Sequence, residues 1–188
     1  MHRLSTTFVL GYHGCDRAFG ERMLSGNAKF LKSENDFDWL GPGVYFWEAN
    51  PRRALEFAEE RRLRRQGVKV PFVVGAVVDL GLCLDLTTKD SIDDLRSAYA
   101  SLEDTFRIRN VDLPKNGPKP WMKFLDCAVV RRLHEIIEDT GSPLIDSVRG
   151  IFQEGNPIYP GSAFLEKTHT QIAVMNRDCI KAVFRVTH

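Results

Sequence analysis

Apolar positions along the chain alternate between the two-residue spacing of strands and the three-to-four-residue spacing of helices. Apolar stretches at 8–12, 44–46, 70–80, 82–86, 147–152, 170–175 and 180–186 predict seven strands. The stretch at 70–80 is nearly continuous and β-branched, which favours a central strand covered on both faces. Asn176-Arg177-Asp178 has the composition of a turn, so we expect the last two strands to form a hairpin.

Helices are predicted where apolar residues recur every three or four positions. The first follows Asp16, a good N-cap, and stops at 25–26. The second runs from 52 to about 65 after Asn50 and Pro51, and the third and fourth cover 91 to about 106 and about 122–136. His134, on the fourth helix, has charged neighbours and is predicted to be exposed. The order of elements predicts an α+β domain.

Composition fits one globular domain over residues 1–188, because 188 residues with 43% hydrophobic content can bury a single core. Lys and Arg (26) nearly balance Asp and Glu (25), so the net charge of +1 gives no whole-molecule reason to expect a polyanion partner. The four cysteines are widely spaced without a Cys-x-x-Cys pair, which argues against a zinc site and favours reduced thiols.

Nothing in the sequence predicts a membrane segment. No apolar run approaches the roughly 20 residues of a span, and the first four residues, MHRL, do not lead into a signal-peptide core. We therefore expect a cytoplasmic protein. The arginines at 61, 62, 64 and 65 could hold phosphates, but such a run at a helix end is usually solvated and suits the helix dipole.

The segment WLGPGVYF at 39–46 ends a long loop and begins the second strand. Its two glycines allow a tight bend and a close approach of the backbone to a bound molecule. Taken alone, the pattern is typical of an ordinary turn. Two further segments change the interpretation of this one. His13-Gly14 ends the first predicted strand, and Gln171 lies at the start of the penultimate predicted strand.

Together these segments resemble the H-Y-E class of ADP-ribosyltransferases, the diphtheria-toxin and poly(ADP-ribose) polymerase-like enzymes. YHGC at 12–15 resembles the family's His-Gly-Ser/Thr, with Cys15 in place of the hydroxyl residue. GPGVYF at 41–46 resembles Gly-x-Gly-Ile-Tyr-Phe, and TQIAV at 170–174 stands where the family has its glutamate, here Gln171. A His-Tyr-Gln set also resembles bacterial members that transfer a single ADP-ribose. The resemblance implies a split, mostly antiparallel sheet that grips NAD in a cleft.

The resemblance also implies roles for individual residues. His13 would hydrogen-bond the adenosine ribose, Tyr45 would stack on nicotinamide, and Gln171 would accept from the 2′-hydroxyl of the nicotinamide ribose. The remaining predicted NAD contacts are Gly14 through its backbone, Cys15, Arg17, Gly43, Ala54 where many members have serine, and Phe57 in place of a second stacking tyrosine.

The bond from nicotinamide to ribose breaks through an oxocarbenium-like transition state. Gln171 brings no full negative charge, and charged hydrogen bonds are roughly twice as strong as neutral ones. We therefore expect a slower reaction, or help from a carboxylate such as Glu154 or Glu166. Arg17 or Arg149 could hold the pyrophosphate. His169 alternates with Gln171, so it shares its strand face and is a further catalytic candidate.

The predicted function is a mono-ADP-ribosyltransferase with NAD as donor and no metal. The loop 155–167, with Tyr159 and Phe164, would recognise the acceptor, which is a protein or a nucleic acid. The resemblance suggests a toxin or defence effector with an antitoxin or immunity partner. Two alternatives stay open: an NAD glycohydrolase, and an inactive NAD- or ADP-ribose-binding module, because Cys15, Ala54 and Gln171 depart from the commonest pattern.

Overall fold

The computed structural model describes residues 8–187. Its strands are β1 (Phe8–Asp16), β2 (Val44–Glu48), β3 (Pro71–Asp79), β4 (Cys83–Asp85), β5 (Ser147–Phe152), β6 (His169–Val174) and β7 (Ile180–Arg185). Its helices are α1 (Arg17–Leu24), α2 (Pro51–Leu63), α3 (Lys89–Ile108) and α4 (Phe124–Asp139), with one 3-10 turn at Arg177–Cys179. The α+β class and the predicted order of elements are confirmed. The first four residues, interpreted above as lacking a signal sequence, lie outside the described range.

Local signals place the helix starts. The Asp16 side chain accepts a hydrogen bond from the Ala18 amide at 3.0 Å and so caps α1. Asn50 caps α2 in the same way, since its Oδ1 accepts from the Arg53 amide at 3.0 Å, and Pro51 occupies the first helical position. Each cap satisfies an amide that has no partner within its helix.

All seven strands form one sheet in the order β4-β5-β6-β2-β1-β3-β7. The β4–β5 pair is parallel and every other neighbouring pair is antiparallel. β1 pairs with β3 along nine residues but with β2 at only two positions, Gly11–Glu48 and Tyr12–Trp47. The sheet thus consists of two well-paired halves, β4-β5-β6-β2 and β1-β3-β7, joined by a short contact.

The predicted hairpin between the last two strands is wrong. β6 lies between β2 and β5, so both of its edges are already paired, and β7 instead adds to the free edge of β3. Asn176 does not form a two-residue hairpin turn. Its side chain accepts from the Asp178 amide at 3.1 Å and caps the 3-10 turn that carries the chain to the other half of the sheet.

The helices lie on both faces of the sheet. α1 packs on β3 and β7, on the face that carries Phe46 and His13. α2 packs on β1 and β3 on the opposite face, while α3 and α4 cover β4, β5 and β6 on that same face. Between α2 and the α3–α4 pair, loop residues such as Trp39 cover the middle of this second face.

The prediction that His134 is exposed is also wrong. It is half-buried, and its Nε2 atom is buried without a hydrogen-bond partner. One turn earlier on α4 is Val130, and both side chains approach Gly41. Burial lowers the pKa of His134 to about 4. The charged neighbours that suggested exposure adjoin it in sequence, and adjacent residues on a helix project in different directions.

Candidate functional site

The three residues of the predicted catalytic set lie on three neighbouring strands. His13 is on β1, Tyr45 on β2 and Gln171 on β6, and these strands are adjacent in the middle of the sheet. Trp47 of β2 pairs with Tyr12 of β1 on one side and with Gln171 of β6 on the other. Segments more than 100 residues apart in sequence therefore meet at the short contact between the two halves of the sheet.

His13 lies where β1 diverges from β2. Its Nδ1 atom is 2.9 Å from the Tyr45 carbonyl oxygen, and its ring packs edge-on against Phe30 and Phe46 at centroid distances of 5.3 and 5.9 Å. Burial lowers the pKa of His13, so the ring is neutral at neutral pH. Because the carbonyl can only accept, Nδ1 carries the proton and Nε2 has a free lone pair. His13 can therefore accept one hydrogen bond from a ligand hydroxyl.

Tyr45 points to the opposite face from His13, as the alternation along β1 and β2 requires. Its hydroxyl donates to the Gly41 carbonyl at 2.8 Å and accepts from the Leu40 amide at 3.1 Å. Burial raises its pKa well above the usual value. The hydroxyl therefore stabilises the turn that precedes its own strand, and the ring packs in the cluster beneath α4.

Close packing explains why both positions of this turn, 41 and 43, are glycine. Gly41 has a φ of +76°, and a Cβ there would lie 2.8 Å from Val130 Cγ1 of α4. A Cβ at Gly43 would lie 3.1 Å from Ala173 of β6. The main chain at Gly43 also forms a bridge with Ser33 of the preceding loop. The close approach at Gly43 is thus to a neighbouring strand.

Gln171 is held by a residue that sequence reasoning did not place in the site. The Trp39 Nε1–H group donates to Gln171 Oε1 at 2.6 Å. Trp39 lies over Gly150 of β5, where a Cβ would be only 2.7 Å from its ring. The indole therefore fixes the glutamine side chain on the second face of the sheet. Trp39 opens the WLGPGVYF segment, and that position was the available signal.

α2 packs directly on β1 at the predicted nicotinamide contacts. A Cβ at Gly14 would lie 2.1 Å from the Ala54 carbonyl oxygen, and Ala54 is fully buried. Phe57 packs on Trp47 with a centroid distance of 4.7 Å, whereas Tyr45 belongs to a different cluster. The structure thus brings Gly14 and Ala54 together but does not bring Phe57 opposite Tyr45. Cys15 is buried, which raises the pKa of its thiol to about 11.

Beside Phe57 lies a cluster of buried polar side chains made of Trp47, Arg53 and His169, here called the polar cluster. Their exposed fractions are 3%, 5% and 5%. Trp47 Nε1, Arg53 Nε and Nη1, and His169 Nε2 are buried without a hydrogen-bond partner. The His169 ring lies near Trp47 and Phe152, at centroid distances of 6.1 and 5.6 Å. Buried polar atoms are nearly always paired, so this cluster is a candidate position for bound water or a small polar group, although Arg53 Nη1 also lies 3.4 Å from a Glu60 carboxylate oxygen.

His169 supplies the acceptor of this cluster. Its Nδ1 atom is 2.5 Å from the Lys167 carbonyl oxygen, so Nδ1 carries the proton and Nε2 has the lone pair. Burial lowers its pKa, which keeps the ring neutral. Trp47 and Arg53 contribute only N–H donors. The polar cluster was missed from the sequence, apart from His169, because its members come from three separate elements.

The loop 153–168 is tied to α2 by two ion pairs. Glu154 accepts from Arg53 Nη2 at 2.7 Å, and Lys167 Nζ lies 2.8 Å from Glu60. Glu166 instead accepts from the Asn156 amide at 3.1 Å, within the loop. Neither Glu154 nor Glu166 is bonded to Gln171, although Glu154 adjoins the polar cluster. Tyr159 and Phe164 are exposed on the loop surface.

The two arginines considered for the pyrophosphate have different surroundings. Arg149 donates to both oxygens of Glu48, at 2.6 and 3.2 Å, and to Asp85 at 3.0 Å, so its donors are largely used within the fold. Arg17, at the start of α1, lines an open groove between α2 and β3, on the far side of α2 from the polar cluster.

Within residues 8–187, no group of three or more His, Cys, Asp or Glu side chains is placed to hold a metal ion. No described helix is long and apolar enough to cross a membrane. All four cysteines are free. The chain matches no protein-family model, no curated protein and no solved structure.

Proposed function

We propose that this protein is a mono-ADP-ribosyltransferase that moves ADP-ribose from NAD to a macromolecular acceptor, and that its sheet is an ADP-ribosyltransferase fold. The observation that carries the proposal is the adjacency of β1, β2 and β6. The His13, Tyr45 and Gln171 motifs lie far apart in the sequence, at 12–15, 41–46 and 170–174. Their strands meet where the sheet is least paired, and because His13 projects from the opposite face to Tyr45 and Gln171, the proposed NAD cleft passes through the gap between β1 and β2.

Two side chains have the hydrogen-bonding capacity that the reaction needs. His13 Nε2 would accept from a hydroxyl of the adenosine ribose, since its Nδ1 proton is fixed on the Tyr45 carbonyl. Gln171 Oε1 already accepts from Trp39, and its second lone pair would accept from the 2′-hydroxyl of the nicotinamide ribose. Both sugars would thereby be oriented while the glycosidic bond breaks.

The polar cluster supports a position for the nicotinamide end of NAD beside Trp47, Arg53 and His169. A carboxamide has one acceptor oxygen and an NH₂ donor, and the cluster offers the matching set of Trp47 N–H, Arg53 N–H and the His169 lone pair. The Trp47 and Phe57 rings add apolar surface beside these atoms. In this scheme nicotinamide leaves with the bonding electron pair, and the acceptor attacks the ribose C1′ carbon.

A nicotinamide-release assay with matched glutamine variants tests the proposal. Gln171→Ala is expected to lower the rate at least tenfold, whereas Gln153→Ala, at an exposed position just beyond β5, should leave it unchanged. Circular dichroism would confirm that both variants fold. Equal rates for wild type and Gln171→Ala would remove this residue from the site.

A catalytically inactive NAD- or ADP-ribose-binding module is the second candidate. It is favoured by the packing of the Tyr45 ring in the core beneath α4 and by the bond from Trp39, which occupies one of the two lone pairs of Gln171 Oε1. Calorimetry that detects NAD binding while nicotinamide is never released would select this candidate. A toxin or defence effector acting in the cytoplasm, with an antitoxin or immunity partner, is the setting that the resemblance implies for an active enzyme.

A further inference from the structure

An open groove lies beside the C-terminal half of α2, between that helix, the start of β3 and the segment after β7. Its volume is about 450 Å³, within the size range of sites that hold a molecule as large as a nucleotide. It is lined on the helix side by Leu55, Glu59 and Arg62. These residues face away from the polar cluster, so the groove is separate from the NAD site proposed above.

Positive charge is concentrated at this groove. Arg17, Arg62 and Lys69 line it, against the single lining carboxylate of Glu59, although the whole chain carries a net charge of only +1. None of the three cations forms an ion pair with another described residue, whereas most arginines elsewhere on the helices are paired. The nearby Asp16 carboxylate accepts from the Ala18, Lys69 and Val70 amides and is thereby occupied.

The floor between these charges is apolar. It is formed by Leu55, Val70, Pro71, Val73 and Val186, while the ring of Phe72, which also borders the groove, is turned towards α1. Val70 is 44% exposed, and the Arg17 guanidinium lies at the rim on the α1 side, 5.9 Å from the Phe72 ring centre. A planar ring can therefore lie on apolar surface while an attached anion meets the cations, and guanidinium groups both stack on rings and pair with phosphate oxygens.

The geometry points to a binding site for a nucleotide unit of a single-stranded nucleic acid, with the phosphate on Arg62 and Lys69 and the base on the apolar floor. A base within a duplex is stacked and cannot reach such a floor, whereas an unpaired base can. An acidic side chain would meet the cations but has no flat apolar body to cover the floor. This site does not depend on NAD chemistry, so it is testable whatever the outcome for the transferase.

The test is fluorescence anisotropy with a labelled single-stranded 12-mer RNA and the equivalent DNA, without NAD. The charge-reversal pair Arg62→Glu and Lys69→Glu is compared with Arg109→Glu and Lys115→Glu, which change the net charge equally at exposed positions outside the groove. We expect the groove pair to weaken binding at least tenfold and the control pair to change it less than threefold. Loss of the contact to this one phosphate should also lower the salt slope of log K by about 0.7.

Four outcomes would overturn the proposal: no binding by the wild type, unchanged binding by the groove pair, an equal loss in the control pair, or equally tight binding of a polyglutamate peptide. Competition with inorganic phosphate and with free AMP separates the parts of the ligand. AMP should compete better than phosphate, and equal competition would contradict a base-binding floor. Nicotinamide release by the groove pair, measured in parallel, reports separately on the NAD site.

Discussion

Removing the Glu154 carboxylate should destabilise the protein more than any exposed charge deletion, because Glu154 balances the guanidinium of Arg53. The Arg53 side chain is 5% exposed and that of Glu154 is 15% exposed, and their atoms are 2.7 Å apart. The other nearby carboxylates are farther, with Glu60 at 3.4 Å and Glu56 at 4.0 Å. Glu154→Ala therefore leaves a buried cation with weaker partners.

Breaking a buried pair by removing one partner costs about 3–5 kcal/mol. The remaining Glu60 and Glu56 contacts favour the lower end, so we expect about 3 kcal/mol for Glu154→Ala. For a chain of this length that corresponds to a decrease of roughly 6–12 °C in Tm. Adding Arg53→Met should recover part of the loss, because the buried charge is then removed as well.

Urea unfolding followed by circular dichroism measures these free energies. Asp104→Asn is the matched control, because it breaks the Arg107–Asp104 pair, whose side chains are 76% and 61% exposed. Surface pairs of this kind contribute little, so the control should change stability by less than about 0.5 kcal/mol. A cost below about 1 kcal/mol for Glu154→Ala, or further destabilisation on adding Arg53→Met, would refute the reasoning.

Three further predictions concern single positions. Gly14→Ala should lower the free energy of unfolding in urea by about 3 kcal/mol or more, because its Cβ would lie 2.1 Å from the Ala54 carbonyl oxygen. A decrease under about 1 kcal/mol would show that α2 shifts easily. His134 has its pKa lowered to about 4 by burial, so the unfolded chain binds its proton first and stability falls as pH drops from about 6.5 towards 4. This loss amounts to about 3 kcal/mol, and His134→Gln should flatten that part of the stability profile; an unchanged profile would contradict the burial argument. Gln171→Glu should raise nicotinamide release about fivefold through a charged hydrogen bond to the ribose, and a slower rate would oppose the assigned role.

Local patterns in the sequence predicted the elements well. Apolar spacing, together with caps such as Asp16 and Asn50, is a property of neighbouring residues, and it placed the four helices and seven strands close to their observed bounds. Strand pairing is not local. The segment after β6 reads as a hairpin turn, but both edges of β6 are occupied by strands whose positions depend on the rest of the chain.

The candidate site was likewise only partly predictable from the sequence, because its contacts join residues that are far apart along the chain. The motifs around His13, Tyr45 and Gln171 could be selected from sequence, and their strands prove to be neighbours. The polar cluster could not be assembled in this way, because Trp47, Arg53 and His169 come from three separate elements that only the packing of α2 against the loop 153–168 buries together. The bond from Trp39 to Gln171 likewise joins residues 132 positions apart.

Incubation of the purified protein with NAD labelled in its adenylate part, in a cell lysate, tests the central claim most directly. The proposed transferase predicts label in protein or nucleic acid, sensitive to protease or nuclease respectively, and at least tenfold less label with Gln171→Ala than with Gln153→Ala. Release of free ADP-ribose with no labelled macromolecule would contradict transfer and indicate a glycohydrolase. Intact NAD after incubation would contradict catalysis altogether.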